Sequence, residues 1–207
     1  MVSQYYPIET DLSNESFEGY QKLLAITHVK INQVIDDDLP ASFNKLINEV
    51  SKEFKDFKVF SEIYKQFPNY ALRIELLNKD FEEVSVTYNL KLRLSLLTNF
   101  FTVFFEEVIL HKNMSYGPTI YFPLTTNVLS SRLEFIENGK SDLNKLKAIV
   151  QEIFKEYGYI SHISLFNTKI LNGIPHGFLA DPEVQYPLYS FLFDNDYSPI
   201  QPLIILP

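Results

Sequence analysis

The chain has 207 residues, and its 26 Asp and Glu against 18 Lys and Arg give a formal net charge of −8 at pH 7. This acidic balance argues against binding to nucleic acid or to anionic membranes, because both require a concentrated basic surface. There is no cysteine, which excludes disulfides, thiolate nucleophiles and cysteine-ligated metal sites. A cytoplasmic protein is predicted from the absence of cysteine, from an N-terminus that does not resemble a signal peptide and from the lack of a long apolar run.

The first predicted element is a helix over 16–35, where apolar residues recur at helical spacing. Leu23, Ile26 and Val29 widen its apolar stripe. We therefore expect this helix to be buried on two sides, with a short strand over 25–31 as the alternative.

A second helix is predicted over 40–66, where the apolar stripe is the clearest in the chain. The three aspartates at 36–38 suit the N-terminal end of this helix, and Pro40 suits its first turn. Pro68 is expected to end it. Two helices joined by a short acidic turn predict an αα-hairpin.

The most regular pattern lies at 84–96, where every even position is apolar or aromatic and every odd position is polar. Successive side chains of a strand point to opposite faces, so this pattern predicts one buried face and one solvent-exposed face. The run 69–77 also alternates, and a polar turn separates it from 84–96. The two runs are therefore predicted to form an antiparallel hairpin. Asn99 marks a further turn. A third strand is predicted over 101–110, with a helix over 100–110 as the alternative.

The second half of the chain contains shorter patterns. We predict a short strand over 119–124, a helix capped by 125–127 and a strong helix over 141–157. Further strands are predicted over 159–166 and 186–193. Helices and strands are thus grouped by type and do not alternate along the chain.

This grouping indicates an α+β fold with an antiparallel sheet. The expected architecture is a meander centred on 84–96, packed against helices at about 16–35, 40–66 and 141–157. The even face of 84–96 is expected to contact the second and third of these helices. No internal repeat or linker is found in the sequence, so residues 1–207 are expected to form a single globular domain.

Few residues are candidates for catalysis or metal binding. The 6 glycines form no phosphate-binding loop, so no cofactor is predicted. His176 lies in a loop with Asp181 close behind, and a histidine near a carboxylate is an arrangement used in general acid–base catalysis. His111 is a further catalytic candidate. A helix would bring Glu107 and His111 together on one face as metal ligands, whereas a strand would not bring them to one metal ion.

Each candidate also has a structural explanation. His176 is then an exposed residue of a turn, and a histidine with a nearby acid is too common to be specific. His28 and His162 are expected to pack beside the core. The sequence Asp-Asn-Asp at 194–196 is expected to be a solvated turn, because it lacks the glycine and the distal glutamate of an EF-hand loop.

Three hypotheses for function follow. The favoured one is a non-enzymatic acidic binding protein, such as an inhibitor or immunity-type protein for a basic protein partner. It is motivated by the negative charge, the many aromatic residues and the missing catalytic motifs. The first alternative is a small hydrolase or metal-assisted enzyme that uses a histidine with carboxylates. The second is a structural subunit of a homo-oligomer, suggested by the apolar C-terminal tail at 199–207.

Overall fold

The computed structural model describes residues 2–8, 13–63, 66–115, 121–129, 138–178 and 184–197. The strands in this part of the chain are β1 Lys58–Ser61, β2 Asn69–Asp80, β3 Val84–Ser95, β4 Phe100–Ser115, β5 Tyr121–Leu129, β6 Gly158–Tyr159, β7 Lys169–Ile170 and β8 Tyr186–Pro187. The helices are α1 Glu18–Ile35, α2 Ala41–Glu53, α3 Gly139–Ile153, α4 His162–Asn167 and α5 Leu188–Leu192. Two 3-10 turns, Val2–Gln4 and Asn14–Ser16, precede α1.

The main sheet is an antiparallel meander in the order β1-β2-β3-β4-β5, and β6 joins it by parallel pairing with β4. The strands β7 and β8 form a separate antiparallel pair. The expected α+β fold with a meander around β3 is confirmed. The third predicted strand is also confirmed as β4, so the alternative helix over 100–110 is wrong.

The even face of β3 packs against α2 and α3, as its pattern predicts. Leu90, Leu92 and Leu94 are buried in one apolar cluster with residues of both helices, including Phe43 and Leu146. Each fully buried side chain of this kind contributes about 1.5–3 kcal/mol relative to an exposed one. This cluster anchors the sheet on two helices that are far apart in sequence.

The odd face of β3 is covered as well, so the expectation that it is solvent-exposed is wrong. Phe104 of β4 packs there in one apolar cluster. Its partners in that cluster include Phe166 of α4, Tyr189 of α5, Leu23 of α1 and, before α1, Tyr6. The odd positions of β3 buried beneath this cover are Asn89, Lys91, Arg93 and Ser95. The covering residues lie mostly near the two ends of the chain, which the alternation within β3 does not reveal.

The predicted helix over 40–66 is wrong beyond Glu53, where α2 ends. Residues of β1 pair with β2 instead, with Val59 opposite Ile74. The apolar spacing continues past the helix end because Phe57 and Val59 pack against the same cluster as α2. Pairing with a strand that comes later in the chain therefore overrides the helical pattern.

In the second half of the chain, α3 confirms the predicted helix over 141–157, although it ends at Ile153. The helix expected from 125–127 is wrong there, because β5 continues through these residues. The strands predicted over 159–166 and 186–193 are wrong over most of their length, where only β6 and β8 are strands. The short helix α4 occupies most of the first run, and α5 occupies most of the second. Short apolar runs that are buried on all sides do not show which period they follow.

Candidate functional site: the outer face of helix α1

A buried ionic cluster lies on the odd face of the sheet. It consists of Glu62, Lys91, Arg93, Glu106, Asp194 and Asp196. The Arg93 side chain is fully buried and donates from Nε to Asp194 Oδ2 at 2.6 Å and from Nη2 to Asp196 Oδ2 at 2.8 Å. Lys91 Nζ donates to the two carboxylate oxygens of Glu62 at 3.1 and 3.0 Å. Asp194 is only 1% exposed, so the expectation of a solvated turn at 194–196 is wrong.

Two buried tyrosines extend this ionic cluster. Tyr189 donates its hydroxyl proton to Asp194 at 2.9 Å, and Tyr197 donates to Glu106 at 2.6 Å. Burial and the neighbouring carboxylates raise the pKa of both tyrosines well above the usual value. Burial alone lowers the pKa of Arg93, but the carboxylates around it hold that pKa well above its usual value. Arg93 therefore stays charged, and its pairs with Asp194 and Asp196, together with the bond from Tyr197 to Glu106, fasten the end of the described chain to the sheet.

His176 is half-buried and forms hydrogen bonds with both ring nitrogens. Its Nε2 lies 3.1 Å from the carbonyl oxygen of Gln66, and its Nδ1 lies 2.8 Å from the hydroxyl of Tyr20. A carbonyl only accepts, so Nε2 carries the proton and Nδ1 accepts from Tyr20. Burial lowers the pKa of His176, which favours this neutral form. The side chain connects its loop to α1, and a catalytic use of Nδ1 would require the bond to Tyr20 to break.

The other candidate residues are Asp181, Glu107 and His111. Asp181 lies outside the described residues. Glu107 and His111 are both in β4, where four residues span about 13 Å of backbone. The helical geometry that would bring this pair to one metal ion is therefore not present. Across the described ranges, no group of three or more histidine, aspartate and glutamate side chains is placed to hold a metal ion.

The two remaining histidines differ in their environments. His162 is 7% exposed and its ring centroid lies 5.9 Å from that of Phe104, as expected for a residue beside the core. His28 is exposed on α1, which contradicts the expectation that it packs beside the core. His28 therefore lies on the outer side of this helix.

The side of α1 that faces the protein is unusually polar. Its buried residues are Gly19, Leu23, Thr27 and Lys30. Thr27 donates to the carbonyl of Leu23 at 3.0 Å, and Lys30 Nζ donates to the carbonyl of Phe67 at 2.8 Å. Only one large apolar side chain of the helix is thus fully buried, so the expectation that α1 is buried on two sides is wrong.

The opposite side of α1 exposes apolar residues. Leu24, Val29 and Ile35 are 36%, 57% and 73% exposed. We call the set Leu24, His28, Val29, Ile31 and Ile35 the α1 outer face. A helix that buries a lysine and a threonine while exposing leucine, valine and isoleucine reverses the usual distribution. Where exposed apolar side chains form a contiguous patch, they mark a surface that meets another molecule.

Two clefts run along the flanks of α1. The first cleft has a volume of about 430 Å³. Its α1 wall consists of Gln21, Leu24, Ala25, Thr27, His28 and Ile31, and its other wall of Gln66 and His176. The second cleft, of about 400 Å³, lies between Val29 and Lys30 on one side and Tyr70 and Leu96 on the other. The helix therefore stands as a ridge between two depressions.

Three exposed aspartates, Asp36, Asp37 and Asp38, follow the C-terminal end of α1. Carboxylates at this end oppose the helix dipole and cost about 0.3–1 kcal/mol where they interact with it. They do not cap the next helix, because α2 begins at Ala41 with no side-chain cap and no acid in its first turn. Asp37 adopts the left-handed conformation, with a φ of 54°, which aspartate tolerates better than most residues, so the turn accounts for one of the three aspartates.

The chain matches no protein-family model, no curated protein and no solved structure. Among the described helices, none combines the length and the apolar character that a membrane crossing requires. The sequence pattern does not reveal the α1 outer face, because it predicts that these apolar residues belong to the core. The available signal was the spacing of Leu24, His28, Ile31 and Ile35, a second stripe on a helix that already had one.

Proposed function

We propose that this protein is a non-enzymatic binding protein that engages a basic protein partner through the α1 outer face. The observation that supports this proposal is the exposure of Leu24, Val29 and Ile35 on one helix next to the aspartates at 36–38. Protein interfaces commonly combine an apolar centre with a polar rim. An inhibitor or immunity-type protein that occupies the surface of a basic toxin or nuclease is a concrete form of this function.

The charges around α1 favour a basic partner over a neutral one. Its two lysines do not offset the aspartates at 36–38, because Lys22 pairs with Glu18 at 2.8 Å and Lys30 is turned inward and buried. The aspartates at 36–38 therefore leave the exposed part of this helix with a negative end. Complementary charge at the rim of an interface accelerates association and makes it sensitive to salt.

The test is capture of proteins from the native host on the immobilised full-length chain, at low and at high salt. Three chains are compared: the wild type, Val29→Glu and Phe81→Glu. Val29 and Phe81 are 57% and 56% exposed, so both variants add one negative charge at a similarly exposed apolar position. Phe81 follows the end of β2 that is remote from α1, about 36 Å away along the strand.

We expect a protein of basic isoelectric point to be retained by the wild type and by Phe81→Glu, and to be released by high salt. Val29→Glu should retain at least about tenfold less of it, because a charge replaces an apolar contact. Equal retention by Val29→Glu and Phe81→Glu, or retention that salt does not change, would contradict the proposal.

One observation supports the alternative of a small hydrolase, namely that His28 and His176 line the same cleft. Hydrolysis of simple ester and phosphoester substrates by the wild type and by His28→Gln tests it. This alternative requires activity in the wild type that His28→Gln reduces by about 10²-fold or more, the usual range for a lost general base. Equal rates for the two proteins, or no hydrolysis by either, would exclude this cleft as the active site.

The homo-oligomer hypothesis depends on the apolar tail at 199–207, which lies outside the described residues. Light scattering on a chain that ends at Ser198 tests it, since loss of the tail should lower the molecular mass in solution. The cytoplasmic location and the absence of nucleic-acid binding remain predictions from charge and composition.

A further inference from the structure

Five residues on the outer side of α1 follow the spacing of a coiled-coil seam. Gln21, Leu24, His28, Ile31 and Ile35 are separated by three, four, three and four positions. We call this set the α1 seam. In a coiled coil these positions alternate as a and d and face a second helix. The seam shares Leu24, His28, Ile31 and Ile35 with the α1 outer face, whereas Val29 lies beside the second cleft.

The first cleft gives this seam the surface relief that a facing helix requires. In knobs-into-holes packing, one side chain enters a hole formed by four residues at i, i+3, i+4 and i+7 of the other helix. Gln21, Leu24, Ala25 and His28 form one such quartet, and all four line the first cleft. A second quartet, which replaces Gln21 and Ala25 with Thr27 and Ile31, lines the same cleft. Two successive holes therefore lie along one helix, the second of them at the edge that meets the protein, because Thr27 is 4% exposed.

We propose that the partner docks an amphipathic, basic α-helix against the α1 seam. Apolar side chains of that helix enter the two holes, and its lysine or arginine residues lie near the aspartates at 36–38. This inference rests on the proposed function and specifies the element that the partner contributes. The seam from Gln21 to Ile35 is about 21 Å long, so a partner helix of about 15 residues covers it.

The charges at the two ends of α1 favour a foreign helix over α1 of a second copy of this chain. Glu18 lies in the first turn and the aspartates at 36–38 follow the last one. Parallel pairing of two copies would bring like ends together, and antiparallel pairing would bring the aspartates against the Glu18 end. Lys22 is already paired with Glu18 there. A second copy therefore offers the aspartates either like charges or an end that is already neutralised, whereas a basic helix offers them unpaired cations in either direction.

Polar residues in the seam add a selective feature. Gln21 and His28 occupy the a positions that precede and follow Leu24. A polar residue at an a position lowers coiled-coil stability but fixes register and partner choice. The partner helix is therefore expected to place a small or polar residue opposite His28, with its larger apolar residues opposite Leu24 and Ile31.

The test uses two peptide libraries displayed against the full-length chain. The first consists of four-heptad peptides with varied apolar residues at a and d and with lysine or glutamate at e and g. The second has the same composition in shuffled order. Selected peptides are then measured for affinity to the wild type, Leu24→Glu, Ile35→Glu and Phe81→Glu. Ile35 is 73% exposed, so Ile35→Glu reports on the seam even where Leu24→Glu fails to fold.

We expect binders from the heptad library alone, enriched in lysine, and bound at least about tenfold more weakly by Leu24→Glu and Ile35→Glu than by Phe81→Glu. Each variant adds the same negative charge, so a weaker complex with a basic peptide reports the lost apolar contact. Equal selection from the shuffled library, enrichment in glutamate, or unchanged affinity for Ile35→Glu would overturn the inference.

Failure of this inference is distinguishable from failure of the proposed function. If the host partner is lost from Val29→Glu while no heptad peptide binds the wild type, then α1 is a binding face whose occupant is not a helix. If Val29→Glu and Phe81→Glu retain the same host proteins and no heptad peptide binds, both proposals are wrong.

Discussion

Arg93→Met is the substitution with the clearest expected effect on stability. Methionine retains most of the length of the side chain but removes the guanidinium that pairs with Asp194 at 2.6 Å and with Asp196 at 2.8 Å. Asp194 is 1% exposed, so its carboxylate would remain buried without its cation. Breaking a buried ion pair in this way costs about 3–5 kcal/mol, a large fraction of the 5–15 kcal/mol typical of a folded domain.

Urea unfolding followed by circular dichroism measures this loss. With m values of about 1–3 kcal/mol per molar urea, the midpoint should fall by at least about 1 M. The double variant Arg93→Met/Asp194→Asn removes the orphaned charge as well, so it should recover part of the loss, with a coupling energy of about 0.5–3 kcal/mol. Lys22→Met breaks an exposed pair with Glu18 and should leave the midpoint unchanged.

A midpoint for Arg93→Met that equals that of Lys22→Met would refute the reasoning, because it would mean that the carboxylates around Arg93 are hydrated. Strict additivity in the double variant would refute it in another way. In that case the loss would come from packing and not from an unpaired buried charge.

Three other predictions concern the fold around the candidate site. Burial lowers the pKa of His176 below its ordinary value of 6.5, so the contribution of His176 to stability is present above about pH 6.5 and is lost as the pH falls. The free energy of unfolding should therefore decrease less between pH 7 and pH 5 in His176→Gln than in the wild type. Equal decreases in the two proteins would contradict this prediction. Gly19→Ala should destabilise the protein by about 1–3 kcal/mol, seen as a lower thermal midpoint, because an added Cβ collides with the carbonyl oxygen of Gln4. Leu92→Asp should prevent folding, as judged by circular dichroism, because it puts an unpaired charge at a position that is 0% exposed.

The fold was predictable where one local pattern matched one structural environment. The alternation over 84–96 predicted β3 and its packing on α2 and α3, since the even residues from Tyr88 to Leu96 face the same cluster. The sequence pattern failed for α4 and α5, because their short apolar runs are buried on all sides. It also failed at β1, where pairing with β2 replaces the last turns of a helix that the sequence pattern extends to residue 66.

The candidate site was less predictable because an apolar residue belongs to a binding surface only where the fold leaves its side chain exposed. Val29 and Leu24 are ordinary apolar residues in the sequence, and only the folded protein distinguishes them from Leu23. The ionic cluster shows the same limit: Arg93 and Asp194 are separated by 101 positions, and nothing near Asp194 in sequence indicates a buried cation. Conversely, His176 drew attention in the sequence, but its ring nitrogens bind Tyr20 and the Gln66 carbonyl.

The separation between Arg93 and Asp194 also bears on how the chain folds during its synthesis. The strands β2, β3 and β4 are consecutive, so they can pair soon after they emerge from the ribosome. At about 5–20 residues per second, Asp194 follows Arg93 by roughly 5–20 s. Throughout that interval Glu62 is the only one of the three carboxylates paired with the guanidinium that has been made, and Tyr189 is also still missing, so water must solvate part of this side of the nascent sheet. The last described residues therefore complete the fold and do not merely extend it.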